Sequence, residues 1–110
     1  MVFDVTLSTG DGQVVVAAVG DIDVLSAGVL REALAKAVRS AGTGAIVVDL
    51  SDVGFMDSSG VQALLDGYHS AMVAGGTLSV RGARGTAERV LNIVGLARLS
   101  GLPPRPGFAG

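Results

Sequence analysis

The sequence predicts an α/β protein whose mixed β-sheet of four to five strands has flanking helices, in the order ββαβαβα(β). Two observations predict this fold class. Apolar segments on both sides of the turn sequence Thr9-Gly10-Asp11-Gly12 indicate an antiparallel β-hairpin. Further along, helical patterns alternate with short strand patterns, which is typical of βαβ units with parallel strands. Together they predict a sheet that is partly antiparallel and partly parallel.

The first half of the chain is predicted to hold three strands and one helix. The strands are Val2 to Ser8, Val14 to Val19 and Ala45 to Leu50. The third is apolar enough to be buried on both faces, and a polar loop is expected after it. Ser26 is predicted to cap the helix, which ends at Gly42. Its apolar residues recur at helical spacing: Leu30, Ala33, Leu34, Ala37, Val38 and Ala41.

The second half is predicted to begin with a helix at Ser58 that stops at Gly75-Gly76. Thr77 to Arg81 alternates between polar and apolar residues, as a half-buried strand does. A third helix is expected from a cap at Thr86 through Val94. The apolar stripe of the Ser58 helix contains Val61, Leu64, Leu65, Tyr68 and Met72.

The end of the chain sets the expected domain boundary. Gly95 is predicted to end the third helix, and Leu96 to Leu102 to form a last short strand. We expect one domain over residues 1–102, followed by a Pro/Gly-rich tail at 103–110 that cannot continue a ladder or a helix.

Composition limits the classes of function. The chain has 110 residues, of which 49 % are hydrophobic, as suits one domain with one core. It has no cysteine and one histidine. This excludes disulfides, zinc ribbons, iron–sulfur clusters and thiol catalysis, and it argues against a transition-metal site. We therefore predict no cofactor.

Charge and hydropathy do not point to nucleic acid or a membrane as partner. The net charge of −2 gives no basic surface for an anionic polymer or lipid. The longest wholly apolar stretch, Val14 to Gly20, is far shorter than the roughly 20 residues of a spanning helix. Because no export or anchoring pattern is recognised, we expect a cytoplasmic protein.

One serine-containing stretch, Phe55-Met56-Asp57-Ser58-Ser59-Gly60, lies where a strand and its loop become a helix. Two interpretations are open here. Ser58 or Asp57 can simply cap the helix by accepting hydrogen bonds from its free N–H groups. Alternatively, a serine at this place is a phosphate site, because the free amides and the dipole of a helix N-terminus favour an anion.

A hydrolytic role for these serines is not supported. A nucleophile elbow requires glycine two residues before the serine, but Met56 and Asp57 occupy those places. His69 is 11 residues after Ser58, about 16 Å away along one helix, and too far to act as its base. A small serine hydrolase is the least favoured class, and we predict that the protein is not an enzyme.

A second polar stretch, Gly20-Asp21-Ile22-Asp23, follows the second predicted strand. Its simplest interpretation is a solvated turn. If that strand is parallel to the one beginning at Ala45, however, Asp21 and Asp23 meet the start of the Ser58 helix at the carboxyl edge of the sheet. Ligands of open α/β sheets bind at this edge.

These two stretches, with Ile46-Val47-Val48-Asp49-Leu50-Ser51 between them, resemble the anti-sigma factor antagonists of the STAS domain family. The resemblance spans Val2 to about Leu102 and implies a STAS-like fold, a mixed sheet flanked by helices. Many members have a further C-terminal helix, whereas a Pro-rich tail follows Leu102 here.

The resemblance also implies a function. Ser58 is the residue that a partner anti-sigma factor, acting as a serine kinase, would phosphorylate, and Asp23 would lie beside it. The unphosphorylated protein would bind that partner and free a sigma factor; the phosphorylated protein would release the partner, and a phosphatase could reset it. The alternative is an unphosphorylated scaffold or interaction module in a stress-signalling or transporter complex. The residues expected to bind the partner or border the phosphosite are Asp21, Asp23, Asp57, Ser59 and Gly60, with an apolar docking rim near Phe55 and Met56.

Overall fold

A computed structural model describes residues 3–93 as a four-stranded sheet with three helices. The predicted mixed α/β fold class is confirmed. Val2, Val94, the helix end at Gly95, the strand Leu96–Leu102 and the tail 103–110 lie outside the described residues. The elements are β1 Asp4–Gly10, β2 Gln13–Ile22, α1 Val24–Ala41, β3 Ala45–Met56, α2 Ser58–Val73, β4 Thr77–Arg81 and α3 Gly85–Ile93.

The hairpin between β1 and β2 has the turn that its sequence predicts. Gly10 pairs with Gln13, so the loop contains only Asp11 and Gly12. Both loop residues have positive φ, 54° and 78°, as a type I′ turn requires. This turn matches the twist of the two strands and fixes the antiparallel register from Asp4↔Val19 onward.

The sheet order is β1-β2-β3-β4, and the β2–β3 and β3–β4 pairs are parallel. The polar loop predicted after Leu50 is wrong, because β3 continues to Met56. It does so by staying paired with β2 as far as Ile22↔Met56, with two register shifts on the way. β4 ends opposite Asp49, so among residues 3–93 the last part of β3 has a strand neighbour on one side only.

One face of the sheet carries the core. Strand residues on this face join inward-facing residues of the helices, such as Leu30, Leu34 and Leu64, in one buried cluster. The prediction that β3 is buried on both faces is wrong. Val47, on the other face, is only half-buried, because no helix among residues 3–93 covers that side completely. The buried strand residues are Val14, Val16, Ala18, Ile22, Ile46, Val48, Leu50, Val53, Met56, Leu78 and Val80.

Candidate functional site

The carboxyl ends of β2 and β3 lie side by side and start both long helices. Ile22 pairs with Met56, and the Asp57 N–H donates to the Ile22 carbonyl oxygen at 3.1 Å. Asp23 and Asp57 each follow one of these paired residues and each is the N-cap of a helix. The parallel pairing on which the sequence argument depended is therefore present, and it brings the two polar stretches to one sheet edge.

Asp23 caps α1 through a capping box. Its carboxylate accepts from the N–H groups of Leu25 at 3.0 Å and Ser26 at 3.1 Å, and the Ser26 hydroxyl accepts from the Asp23 N–H at 2.9 Å. The prediction that Ser26 is the cap is wrong, since it is the third residue of the helix. Hydrogen bonds, first of all from the Ser26 N–H, hold the pKa of Asp23 below its usual value, so this carboxylate stays charged.

Asp21 lies two residues before this cap and is half-buried. Its carbonyl oxygen accepts a hydrogen bond from the Ser26 hydroxyl at 2.7 Å, which ties the end of β2 to the first turn of α1. A groove of about 430 Å³ opens beside it, with Phe3, Leu25 and Val29 among its apolar lining residues. The groove therefore combines an acidic wall with an apolar one.

The two serines at the start of α2 have different surroundings. Asp57 caps the helix by accepting from the Ser59 N–H at 2.9 Å, and the Ser59 hydroxyl donates to the same carboxylate. Ser58 is exposed, and its hydroxyl makes no hydrogen bond to any residue between 3 and 93. Of the two hydroxyls, only that of Ser58 has no hydrogen bond to the described part of the chain.

Gly60 is buried and allows α2 to lie directly on the strand ends. A Cβ atom built on Gly60 would be 2.5 Å from Cγ of Met56 and 2.8 Å from Cγ2 of Ile22. These distances are far below normal carbon contacts, so a side chain here needs its neighbours to move. Gly60, expected from the sequence to bind the partner or border the phosphosite, thus has a clear packing role.

Of the two residues around which an apolar docking rim is expected, Phe55 and Met56, only Phe55 is exposed. Phe55 is 43 % exposed, but Met56 is 1 % exposed and belongs to the core, because alternate residues of the strand face opposite sides. The structure adds Val24 and Leu25, which are 76 % and 88 % exposed in the first turn of α1. Two adjacent apolar residues directly after an N-cap are a signal that could have revealed this surface. We call Val24, Leu25 and Phe55 the apolar rim.

Thr86 does not cap α3 as predicted. The helix begins one residue earlier, at Gly85, and the Thr86 hydroxyl oxygen instead accepts from the Met56 N–H at 3.1 Å. This contact joins the first turn of α3 to the residue that precedes Asp57. It spans 30 positions of sequence, so no local pattern could predict it.

Within residues 3–93, no group of three or more His, Asp or Glu side chains is arranged to hold a metal ion. His69 is exposed and packs against Tyr68, with ring centroids 5.8 Å apart. None of the helices described here is both long and apolar enough to cross a membrane.

A family model described as "Mlab, STAS domain" matches residues 5–103. The chain belongs to the STAS domain family. The family was correctly predicted from the motifs at Gly20–Asp23 and Phe55–Val61.

Two relatives of this chain are anti-sigma factor antagonists. The anti-sigma-B factor antagonist of Bacillus subtilis (strain 168) is 37 % identical over 94 residues, 84 % of this chain and 82 % of that protein. The crystal structure of an anti-sigma factor antagonist from Mycobacterium paratuberculosis superposes with a TM-score of 0.79 at 31 % identity, covering 96 % of this chain and 88 % of that one. Both relatives are named for the factor they antagonise, as expected of binding regulators rather than enzymes.

The antagonist SpoIIAA shares the fold in two states. Its unphosphorylated form matches with a TM-score of 0.76 at 23 % identity, covering 88 % of this chain and 85 % of that one. The phosphorylated form of SpoIIAA, a Bacillus cell fate determinant, matches with a TM-score of 0.70 at 23 % identity, covering 88 % of each chain.

Proposed function

We propose that this protein is an anti-sigma factor antagonist that works by partner switching. It binds an anti-sigma factor of the serine-kinase type while Ser58 is unmodified, and it releases that partner when the kinase phosphorylates Ser58. The sigma factor held by the partner becomes free in the first state and is captured again in the second. The relatives named above support the role, since each is an antagonist of an anti-sigma factor.

The observation that carries the proposal is the contrast between Ser58 and Ser59. A kinase needs a hydroxyl that can enter its active site and attack the γ-phosphate of ATP. The Ser59 hydroxyl is held by Asp57, whereas that of Ser58 has no such bond and is exposed. The first turn of a helix also tolerates a new anion well, because its dipole is positive at that end.

Release follows from charge at the docking face. A phosphate adds about −1.5 to −2 charges at an edge that already carries Asp21, Asp23 and Asp57. It also removes the Ser58 hydroxyl as a hydrogen-bond donor. The domain itself does not need to rearrange, because the new group stays in solvent. The similar fold of SpoIIAA in its unphosphorylated and phosphorylated forms supports this mechanism.

The partner surface in this proposal includes the apolar rim. Val24 and Leu25 are exposed at the start of α1 and Phe55 near the end of β3, so a partner that covers this sheet edge and Ser58 would also bury them. Burial of apolar area would supply affinity, and the charge on Ser58 would decide whether binding is allowed. We place the protein in the cytoplasm, where kinase, sigma factor and a resetting phosphatase would act.

The test combines phosphorylation with partner binding. The protein is incubated with ATP and its cognate anti-sigma factor kinase, and phosphate is located by mass spectrometry. We expect one phosphate on Ser58, none in Ser58→Ala, and retained modification in the matched variant Ser59→Ala. Phosphate on another residue that survives in Ser58→Ala would contradict the site. Binding without any phosphorylation would instead favour a scaffold module of the family.

A further inference from the structure

The end of β3 is supported from one side by a helix residue where a strand would be expected. β4 ends at Arg81, opposite Asp49, and within residues 3–93 no strand pairs with β3 on that side from there to Met56. The Met56 N–H donates to the Thr86 hydroxyl at 3.1 Å. Thr86 thus satisfies a partly buried backbone donor at the end of β3.

The position of Thr86 is fixed by the packing around it. Ala87 and Leu91 are 0 % and 2 % exposed, so α3 is anchored in the core directly after Thr86. The preceding connection is also held on β3, since a Cβ atom on Gly82 would be 2.9 Å from Cβ of Ser51. The hydroxyl is therefore held in place rather than carried on a loose turn.

What Thr86 supports is the start of α2. Met56 is followed by Asp57, the N-cap of α2. The Met56 side chain lies directly under Gly60. The Asp57 N–H is held from the opposite side by the Ile22 carbonyl oxygen. The backbone N–H groups of Asp57 and Met56 are thus each held by one hydrogen bond, to β2 and to α3 respectively.

We propose that Thr86 is a positioning residue of the Ser58 site. Through the Met56 amide it determines where β3 ends and how the first turn of α2 presents Ser58 to a kinase. This inference rests on the proposed function, because it concerns the same serine. It adds that presentation of Ser58 depends on α3, an element that the motif around the serine does not include.

The first measurement requires no partner. Thr86→Val keeps the shape but removes the acceptor, and Thr86→Ser keeps the hydroxyl. We expect the Met56 amide to exchange with solvent about tenfold faster in Thr86→Val, with shifted amide resonances for Asp57, Ser58 and Ser59. Thr86→Ser should restore both. Thr77→Val, which changes an exposed threonine at the far end of β4, is the matched control and should leave them unchanged.

The second measurement is the rate at which the cognate anti-sigma factor kinase phosphorylates Ser58. A misplaced Ser58 hydroxyl lowers the rate of phosphate transfer more than it weakens binding to the kinase. We therefore expect kcat to fall about tenfold in Thr86→Val with KM little changed, and to recover in Thr86→Ser. Unchanged Met56 exchange, or faster exchange with an unchanged kcat, would overturn the proposal. If wild-type Ser58 is not phosphorylated at all, the proposed function fails, while the amide measurements still decide whether Thr86 positions the site.

Discussion

The Asp57 N–H donates to the carbonyl oxygen of Ile22 at 3.1 Å, which places the N-cap of α2 against the last residue of β2. Asp23, the N-cap of α1, follows Ile22 directly. This backbone hydrogen bond therefore helps to fix the distance between the starts of the two helices, and with it the distance between the two aspartates that cap them. Any group added at Ser58 enters an edge whose negative charges are already fixed in place.

Ser58→Asp should weaken binding of the anti-sigma factor about 100-fold, which corresponds to about 2.8 kcal/mol. Two unit charges about 4 Å apart interact by about 4 kcal/mol at an effective dielectric of about 20, so one added charge is sufficient to cause this loss of binding free energy. Calorimetric titration with the partner measures the change. The control is Ser8→Asp on β1, which adds the same charge at an exposed site beside the opposite end of β2 and should not alter affinity.

Leu25→Ala should lower partner affinity about tenfold, or about 1.4 kcal/mol, if the apolar rim is buried on binding. Val73→Ala is the control, because Val73 is 91 % exposed at the other end of α2. Both variants should unfold within about 0.5 kcal/mol of the wild type, since neither side chain is packed. Equal affinities of the two variants for the partner would remove Leu25 from the docking surface.

Gly60→Ala should destabilise the fold by about 1–3 kcal/mol, because the new methyl group meets Met56 and Ile22 in the core. Gly28→Ala is the matched substitution in α1, where a Cβ atom meets nothing within 4 Å. It should stabilise the protein by about 0.5–1 kcal/mol through helix propensity. Urea unfolding at neutral pH measures both values, and two changes of the same sign would contradict the packing described for α2.

The stability of the fold should fall in acid partly through Asp49. Hydrogen bonds, first from the Ser51 hydroxyl and then from its N–H, hold the pKa of Asp49 below its usual value, and Arg81 adds to this. A depressed pKa stabilises the folded state above the pKa of the unfolded carboxyl, about 3.9. That contribution is lost as the pH falls through the lower, folded-state pKa.

Asp49→Asn tests this contribution. Its free energy of unfolding should depend less on pH than that of the wild type between about pH 5 and pH 2. Urea unfolding at several pH values gives that dependence, and an NMR titration of the Asp49 carboxyl gives its pKa directly. Identical pH profiles for the two proteins would show that Asp49 does not contribute.

Local chemistry made much of the fold predictable. The Asp11-Gly12 turn could be assigned because both residues adopt positive φ readily, and the spacing from Leu30 to Ala41 is that of one buried helix face. The length of β3 could not, because Ser51, Asp52 and Gly54 suggest a loop and only pairing with β2 keeps them in the strand.

The candidate site was predictable in its place but not in its contacts. Parallel pairing brings Asp23 and Asp57 to one edge, as the sequence argument required. The prediction of Ser26 alone as the cap overlooks its spacing of three residues from Asp23, with which it forms the capping box. The bond from Met56 to Thr86 depends on how α3 packs, which is a property of the whole fold.

The first turn of α2 has consequences for how long a phosphate would last. The Ser59 N–H is taken by the Asp57 carboxylate, and the Gly60 N–H by the Asp57 carbonyl oxygen at 3.1 Å. Few amide donors are left to enclose a group on Ser58, so it would project into water where another enzyme can reach it. The lifetime of such a phosphate would then be set by the enzymes that add and remove it rather than by the folded chain.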